Sequence, residues 1–147
     1  MRTSADGERV MLRFLFSAAA LAVLGACAPQ ESPELTEMAL IERGDYLVNG
    51  VVLCGDCHTP RLENGALDES RELQGADIGG PPTMATYAPP LAGLPANYTE
   101  EQFIAFTQTG LRPDGTHARP PMPPYRLNED DARAVAAYIA TVTRAPE

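Results

Sequence analysis

The chain has 147 residues, 44% of them hydrophobic, and its 11 basic residues are all arginine, against 20 acidic residues. This length suits one domain with a modest core and is too short for two. The net charge of −9 argues against nucleic acid and anionic lipid headgroups as electrostatic partners, and it favours proteins with basic surface patches.

The first 26 residues have the features of a bacterial export signal. Arginines precede an apolar run over 14–24, which is shorter than the ~20 residues that a membrane-spanning helix needs. The segment Leu24-Gly25-Ala26-Cys27 resembles the lipobox, in which the cysteine becomes the lipid-modified first residue of the mature protein. The alternative is a plain signal peptide cut near Ala26 or Ala28. The sequence therefore predicts export to the periplasmic side of a bacterial membrane, with a lipid anchor at Cys27.

Residues 27–36 are polar, contain proline and lack an apolar period, which predicts a flexible tether before a domain over 37–147. The domain begins with a predicted helix over 36–52, since Leu40, Leu47 and Val48 fall at helical spacing. This helix runs straight into a cysteine motif. The many glycines and prolines of 59–98 predict a stretch that is mostly loop.

Two more helices are predicted after this loop. Thr99 and Gln102 form a capping box at the start of the second helix, and Gly110 suits its left-handed end. Asn128 is the predicted N-cap of the final helix. The predicted fold is all-α, with about three main helices and long loops. Loops of this length argue against a compact domain unless they pack on a bound prosthetic group.

The motif Cys54-Gly55-Asp56-Cys57-His58 has the C-x-x-C-H pattern of covalent haem attachment. The two thiols can each add to one haem vinyl group, and His58 then lies where its imidazole can reach the iron. A thioredoxin-like redox pair is an alternative, but it needs surrounding strands that the sequence does not predict. A zinc site is another, with His117 as the obvious fourth ligand. The sequence favours one covalent haem c per chain.

The second axial ligand of the iron is predicted to be Met122. Four prolines over 119–125 fix φ and are expected to hold this stretch extended, which would present the thioether rigidly. Met84 is the second candidate. Met38 is expected to pack in the first helix as a gap-filler, and His117 is expected to be solvated in an exposed loop.

These features together resemble the class I monohaem cytochromes c over most of residues 38–143. The resemblance is carried by the stretches Glu42–Val48, Cys54–Pro60, Pro121–Pro123 and Asn128–Ile139. It is strongest with the bacterial type that has Cys-His-Thr-Pro-Arg at the haem site, often encoded as an electron acceptor for periplasmic dehydrogenases. In that family the first and last helices cross at a glycine and an aromatic residue, which Gly44 and Tyr138 match.

The resemblance also implies a proline carbonyl that accepts the N–H of the haem-ligating histidine, within the loop 87–93. Arg61, Arg119 and Arg126 are candidates for binding the haem propionates. The implied function is outer-sphere electron transfer by a His/Met-ligated haem iron between protein partners, with a periplasmic dehydrogenase or a terminal oxidase among them. Two alternatives remain open: a haem sensor or peroxidase-like protein with an open sixth site, and a fixed relay subunit of a dehydrogenase complex.

Overall fold

The predicted all-α fold is confirmed by the computed structural model, which describes residues 36–146. The export signal, Cys27 and all of the tether except Thr36 lie outside the described residues. The described residues belong to one unit of the chain, Leu35–Glu147. Its α-helices are α1 (Glu37–Tyr46), α2 (Gly55–His58), α3 (Glu100–Thr109) and α4 (Glu129–Thr141). Among residues 36–146, no helix has the length and apolar character that crossing a bilayer requires.

The long segment between α2 and α3 is mostly loop, as predicted. It contains a short 3-10 helix, Glu69–Arg71, and two strands, β1 (Ala76–Asp77) and β2 (Tyr87–Ala88). The strands pair antiparallel, with Ala76 opposite Ala88. Two residues per strand are too few to produce the alternating pattern by which a strand is recognised in a sequence.

The caps predicted for α3 and α4 are present. The Thr99 hydroxyl accepts the Gln102 N–H at 3.2 Å, and the Gln102 side chain accepts the Thr99 N–H at 3.0 Å. Gly110 ends α3 in the left-handed conformation, at φ 74°. The Asn128 side chain accepts the Asp131 N–H at 2.8 Å. Each cap depends only on neighbouring residues, which is why the sequence predicts it.

The predicted first helix differs from expectation in its last turn, because α1 continues into a π-helical turn over Leu47–Val51. The Val52 N–H donates to the Leu47 carbonyl at 2.7 Å. The chain then turns sharply at Leu53, whose φ is +57°. A π-helical turn inserts an extra residue, and such turns are frequent at functional sites. Here it ends three residues before Cys54.

The position of Met38 differs from prediction: its side chain is 79% exposed. The buried face of α1 and its π-helical extension is instead carried by Gly44, Leu47 and Val48. Helical spacing indicates which side chains share a face. It does not show how far toward the N-terminus of the helix the rest of the protein covers that face.

Gly44 lies where α1 crosses α4. A Cβ atom at this position would lie 2.0 Å from the Ala134 carbonyl oxygen and 2.6 Å from the Tyr138 Cβ. The two helix backbones are therefore in direct contact, as the resemblance implied. The core surrounds this crossing, and its largest fully buried side chains are Val48, Leu73, Val135 and Ile139.

Gly44→Ala is expected to lower the free energy of unfolding by at least about 2 kcal/mol, because the helices must separate to admit the methyl group. Gly50→Ala is the matched control, since a Cβ there would lie 3.5 Å from the Tyr46 ring, an ordinary contact. Denaturant unfolding followed by circular dichroism measures both. Equal stability of the two variants would contradict the close crossing.

Candidate functional site

A cavity of about 680 Å³ opens beside the cysteine motif. This volume lies within the range of small-molecule and cofactor sites, roughly 300–1,000 Å³. Much of its lining is apolar, from side chains that include Leu53, Ile78, Leu91, Pro95, Phe103 and Phe106. The loops on both sides of α3 supply much of the wall, so the long loops of the chain pack around this space.

Four residues predicted from the sequence to bind one cofactor, Cys54, Cys57, His58 and Met122, all line this cavity. The other candidates for axial ligation do not. Met38 and Met84 are exposed. His117 is also exposed, and its Nδ1 lies 3.0 Å from the Gly110 carbonyl oxygen.

Cys54 is the N-cap of the single helical turn α2, and Cys57 lies within it. The His58 N–H donates to the Cys54 carbonyl at 3.0 Å. The two cysteines do not form a disulfide with each other. Burial raises the pKa of the Cys54 thiol to about 12, a backbone hydrogen bond opposes this, and the charge of Cys57 adds to it. Thioredoxin-type cysteine pairs depend on a lowered thiol pKa. The environment of Cys54 therefore disfavours the dithiol redox alternative.

His58 is 6% exposed, and its Nδ1 donates to the Pro89 carbonyl at 2.7 Å. A carbonyl oxygen can only accept, so Nδ1 carries a proton in this arrangement. Burial lowers the pKa of His58, and the bond to Pro89 opposes that shift. The neutral imidazole then has its lone pair on Nε2, which is the state of a metal-ligating histidine with an oriented ring. The structure thus identifies Pro89 as the carbonyl that the sequence left unassigned.

The loop that carries Pro89 is held against the cysteine motif by hydrogen bonds through Leu73 and Gly75. The Leu73 N–H donates to the Thr59 hydroxyl at 3.0 Å, and the Leu91 N–H donates to the Leu73 carbonyl at 2.9 Å. The Gly75 N–H donates to the His58 carbonyl at 2.8 Å. Thr59 and Gly75 were not predicted as site residues. Threonine and glycine are common in loops, and only their tertiary contacts give them this role.

Gly75 occupies a position that requires glycine. Its φ is +87°, and a Cβ atom would lie 2.7 Å from the Tyr87 hydroxyl and 2.9 Å from the Pro90 nitrogen. The absence of a side chain therefore lets the Pro89–Pro90 segment approach the backbone beside His58.

Three arginines, Arg112, Arg119 and Arg144, line the cavity, together with one carboxylate, Asp114. Arg119 donates to the carbonyls of Pro82 and Met84, and Arg144 donates to those of Ala92 and Leu94. Within residues 36–146, the salt bridges involve other arginines: Arg43, Arg71 and Arg133. This wall is therefore positively charged although the protein is acidic, and guanidinium groups are well suited to binding carboxylates.

Two of the arginines that the sequence offered as propionate partners lie elsewhere. Arg61 donates to the carbonyls of Gly65 and Asp56, and Arg126 donates to those of Thr109 and Tyr125. Only Arg119 of that group lines the cavity. Nothing in their local sequence separates cavity arginines from surface arginines, so this distinction required the tertiary structure.

Residues 119–122 form a turn, so the predicted extended conformation is wrong for this part of the segment. The Met122 N–H donates to the Arg119 carbonyl at 3.2 Å, and the Ala85 N–H donates to the Pro120 carbonyl at 2.7 Å. Prolines fix φ but leave ψ free, so they do not prevent a turn. Tyr125, on the same loop, donates its hydroxyl to the Val52 carbonyl at 3.0 Å.

The zinc alternative has no geometric support in the described residues. No group of three or more His, Cys, Asp or Glu side chains between residues 36 and 146 could hold a metal ion together. His117, the proposed fourth ligand, lies outside the cavity that Cys54, Cys57 and His58 line.

Comparison with known proteins shows which family the chain resembles. The family model "Cytochrome c" matches residues 41–143. A diheme cytochrome c-type protein of Cereibacter sphaeroides is 33% identical over 126 residues, which cover 82% of this chain and 38% of that protein. The fructose dehydrogenase cytochrome subunit of Gluconobacter japonicus is 31% identical over 108 residues, covering 68% of this chain and 21% of the subunit.

A further relative is the cytochrome c subunit of the quinone-type alcohol dehydrogenase of Gluconacetobacter polyoxogenes. It is 33% identical over 135 residues, covering 81% of this chain and 26% of the subunit. The chain thus spans well under half the length of these three relatives. The family match covers most of the chain, including the cysteine motif and Met122. The chain therefore belongs to the cytochrome c family, whose members bind haem c covalently and carry electrons.

Proposed function

We propose that this chain carries single electrons through one haem c, attached by Cys54 and Cys57 and ligated by His58 and Met122. The observation that carries the proposal is that these four residues, more than sixty positions apart at the extremes, line one cavity. When bound, the haem iron supplies the one-electron change between its ferric and ferrous states.

The residues of the cavity fit this group in size and charge. The volume of about 680 Å³ and the apolar lining suit a large flat macrocycle. Arg112, Arg119 and Arg144 outnumber Asp114 in the wall, which suits the two propionate carboxylates of haem. A small-molecule redox site without anionic groups would not account for this excess of positive charge.

The two proposed axial ligands have different roles. His58 is buried and oriented by Pro89, so its Nε2 is available as a fixed nitrogen ligand. The soft thioether of Met122 favours the reduced metal and raises the reduction potential. With both positions filled by the protein, the site needs no external ligand, which suits a carrier rather than an enzyme.

We further propose that the physiological partner is a dehydrogenase on the periplasmic side of the membrane, with a terminal oxidase as a candidate acceptor. Two of the relatives described above are named as cytochrome subunits of dehydrogenases. This naming also favours the alternative of a fixed relay subunit. Co-purification from solubilised membranes separates the two, since a free carrier leaves the dehydrogenase on mild washing and a subunit remains with it.

Lipid attachment at Cys27 would keep the domain close to membrane-bound partners, on a tether over 27–36. Cys27→Ser is expected to move most of the protein from the membrane fraction to the soluble periplasm, because a serine cannot be lipidated. Ser32→Ala, in the same tether, is the matched control. Retention of the Cys27→Ser protein on salt-washed membranes would contradict the anchor.

Carbon monoxide binding tests the proposal against a haem sensor or peroxidase. We expect the untreated ferrous protein to bind carbon monoxide slowly and incompletely, because Met122 occupies the sixth position. Stopped-flow absorbance measures this, and guanidinium-unfolded protein gives the rate for an open site. Prompt, stoichiometric binding by the native protein would contradict a closed electron-transfer site.

A further inference from the structure

Tyr125 forms a hydrogen bond between two segments that border the cavity. Its hydroxyl donates to the Val52 carbonyl at 3.0 Å, across 73 positions of sequence. The side chain is half-buried and lines the cavity. Tyr125 thus lines the cavity and also forms a specific hydrogen bond to a distant segment.

The two ends of this bond lie next to the proposed haem-binding residues. Tyr125 is three residues after Met122. Val52 closes the π-helical turn, and after it the backbone turns left-handed at Leu53 (φ +57°) and reaches Cys54. The bond therefore connects the methionine loop to the entry of the cysteine motif.

The other hydrogen bonds of loop 119–127 lead to different parts of the described structure. Arg119 and Pro120 contact residues 82–85, while Arg126 and Leu127 contact the end of α3 at residues 107–109. These bonds fasten the two ends of the loop. The Tyr125 hydroxyl bonds to Val52, in the segment before Cys54. No other hydrogen bond of this loop within residues 36–146 reaches that segment.

We propose that Tyr125 is a positioning residue whose hydroxyl fastens the Met122 loop to the cysteine-motif segment and so keeps the Met122 sulfur at the cavity. The inference rests on the proposed His/Met ligation. Tyr125 does not itself bind the iron. Its role is to limit how often the Met122 loop moves away from the cysteine-motif segment. Tyr125 therefore acts on the iron only through the position of Met122.

Tyr125→Phe tests this role because it removes the hydroxyl and keeps the ring that lines the cavity. Carbon monoxide can bind the ferrous protein only while Met122 is displaced, so its association rate reports the displaced fraction. We expect this rate to rise about fivefold, corresponding to the loss of one hydrogen bond. We also expect the far-red methionine–iron band of the ferric protein to disappear at a lower denaturant concentration.

Tyr138→Phe is the matched control. Its hydroxyl also forms a partly buried hydrogen bond, donating to Glu72 at 2.8 Å, but Tyr138 does not line the cavity. We expect this variant to bind carbon monoxide at the wild-type rate. If the rates of Tyr125→Phe, Tyr138→Phe and wild type are all equal, the positioning role is overturned.

Amide hydrogen exchange separates this inference from the proposed ligation. The exchange rate at Met122 reports the motion of the loop whether or not its sulfur binds iron, and it is expected to rise in Tyr125→Phe only. Unchanged exchange in that variant overturns the inference. A wild-type protein with no far-red band would contradict Met122 ligation instead, while faster exchange in Tyr125→Phe would still support the fastening.

Discussion

Replacing Met122 with alanine is expected to abolish the far-red methionine–iron charge-transfer band of the ferric protein completely. Of the three methionines within residues 36–146, Met122 lines the cavity, whereas Met38 and Met84 are exposed and do not. Alanine has no donor atom, so the sixth position would be left to water or another external ligand. Ferrous Met122→Ala should then bind carbon monoxide promptly, and its reduction potential should fall because the soft thioether no longer favours the reduced state.

Met84→Ala is the matched control for this experiment. It removes the same type of side chain from a neighbouring loop, but Met84 is 41% exposed and does not line the cavity. We expect its far-red band, carbon monoxide binding and potential to equal those of the wild type. A band that persists in Met122→Ala and is lost in Met84→Ala would assign the ligand to Met84.

Replacing both Cys54 and Cys57 with serine is expected to eliminate covalently bound haem. Thioether attachment requires a sulfur at each position, and a serine hydroxyl does not replace it in this bond. Each single variant should retain attachment through the remaining cysteine, with a shifted spectrum of the reduced pyridine adduct because one vinyl group stays unreacted. Haem-stained denaturing gels and the spectrum of the adduct measure both effects.

Asp56→Asn is the control for the cysteine variants. Asp56 lies between the two cysteines and its side chain is exposed, so the substitution keeps the spacing of the motif and both sulfur atoms. It should retain full covalent attachment. Covalent haem in the double cysteine variant would show that other residues attach the group.

The features that the sequence predicted well are those set by neighbouring residues. Thr99, Gly110 and Asn128 act through contacts within one helical turn, and their caps are present as expected. The C-x-x-C-H motif is equally local, since all its members lie within five residues, and haem attachment at Cys54 and Cys57 stays a prediction. The contact of Gly44 with α4 is long-range, and it was anticipated through the family resemblance.

The features that the sequence could not predict depend on long-range packing. Pro89 and Pro90 are equivalent in sequence, and only the direction of a backbone carbonyl assigns the bond to Pro89. Arg112 and Arg144 were not among the expected cavity residues, because every arginine here is surrounded by ordinary loop or helix sequence. The link between Tyr125 and Val52 joins segments 73 positions apart and has no local signal.

The most direct test of this account is acid–acetone extraction of the purified protein, followed by the mass of the polypeptide and the spectrum of its alkaline pyridine adduct. We expect all colour to remain with the polypeptide, the mass to exceed that of the processed chain by one haem, and the adduct to show the absorption of a haem with two thioether bonds. Extraction of all colour into the solvent would show that Cys54 and Cys57 form no bonds to haem, and it would contradict the proposed site.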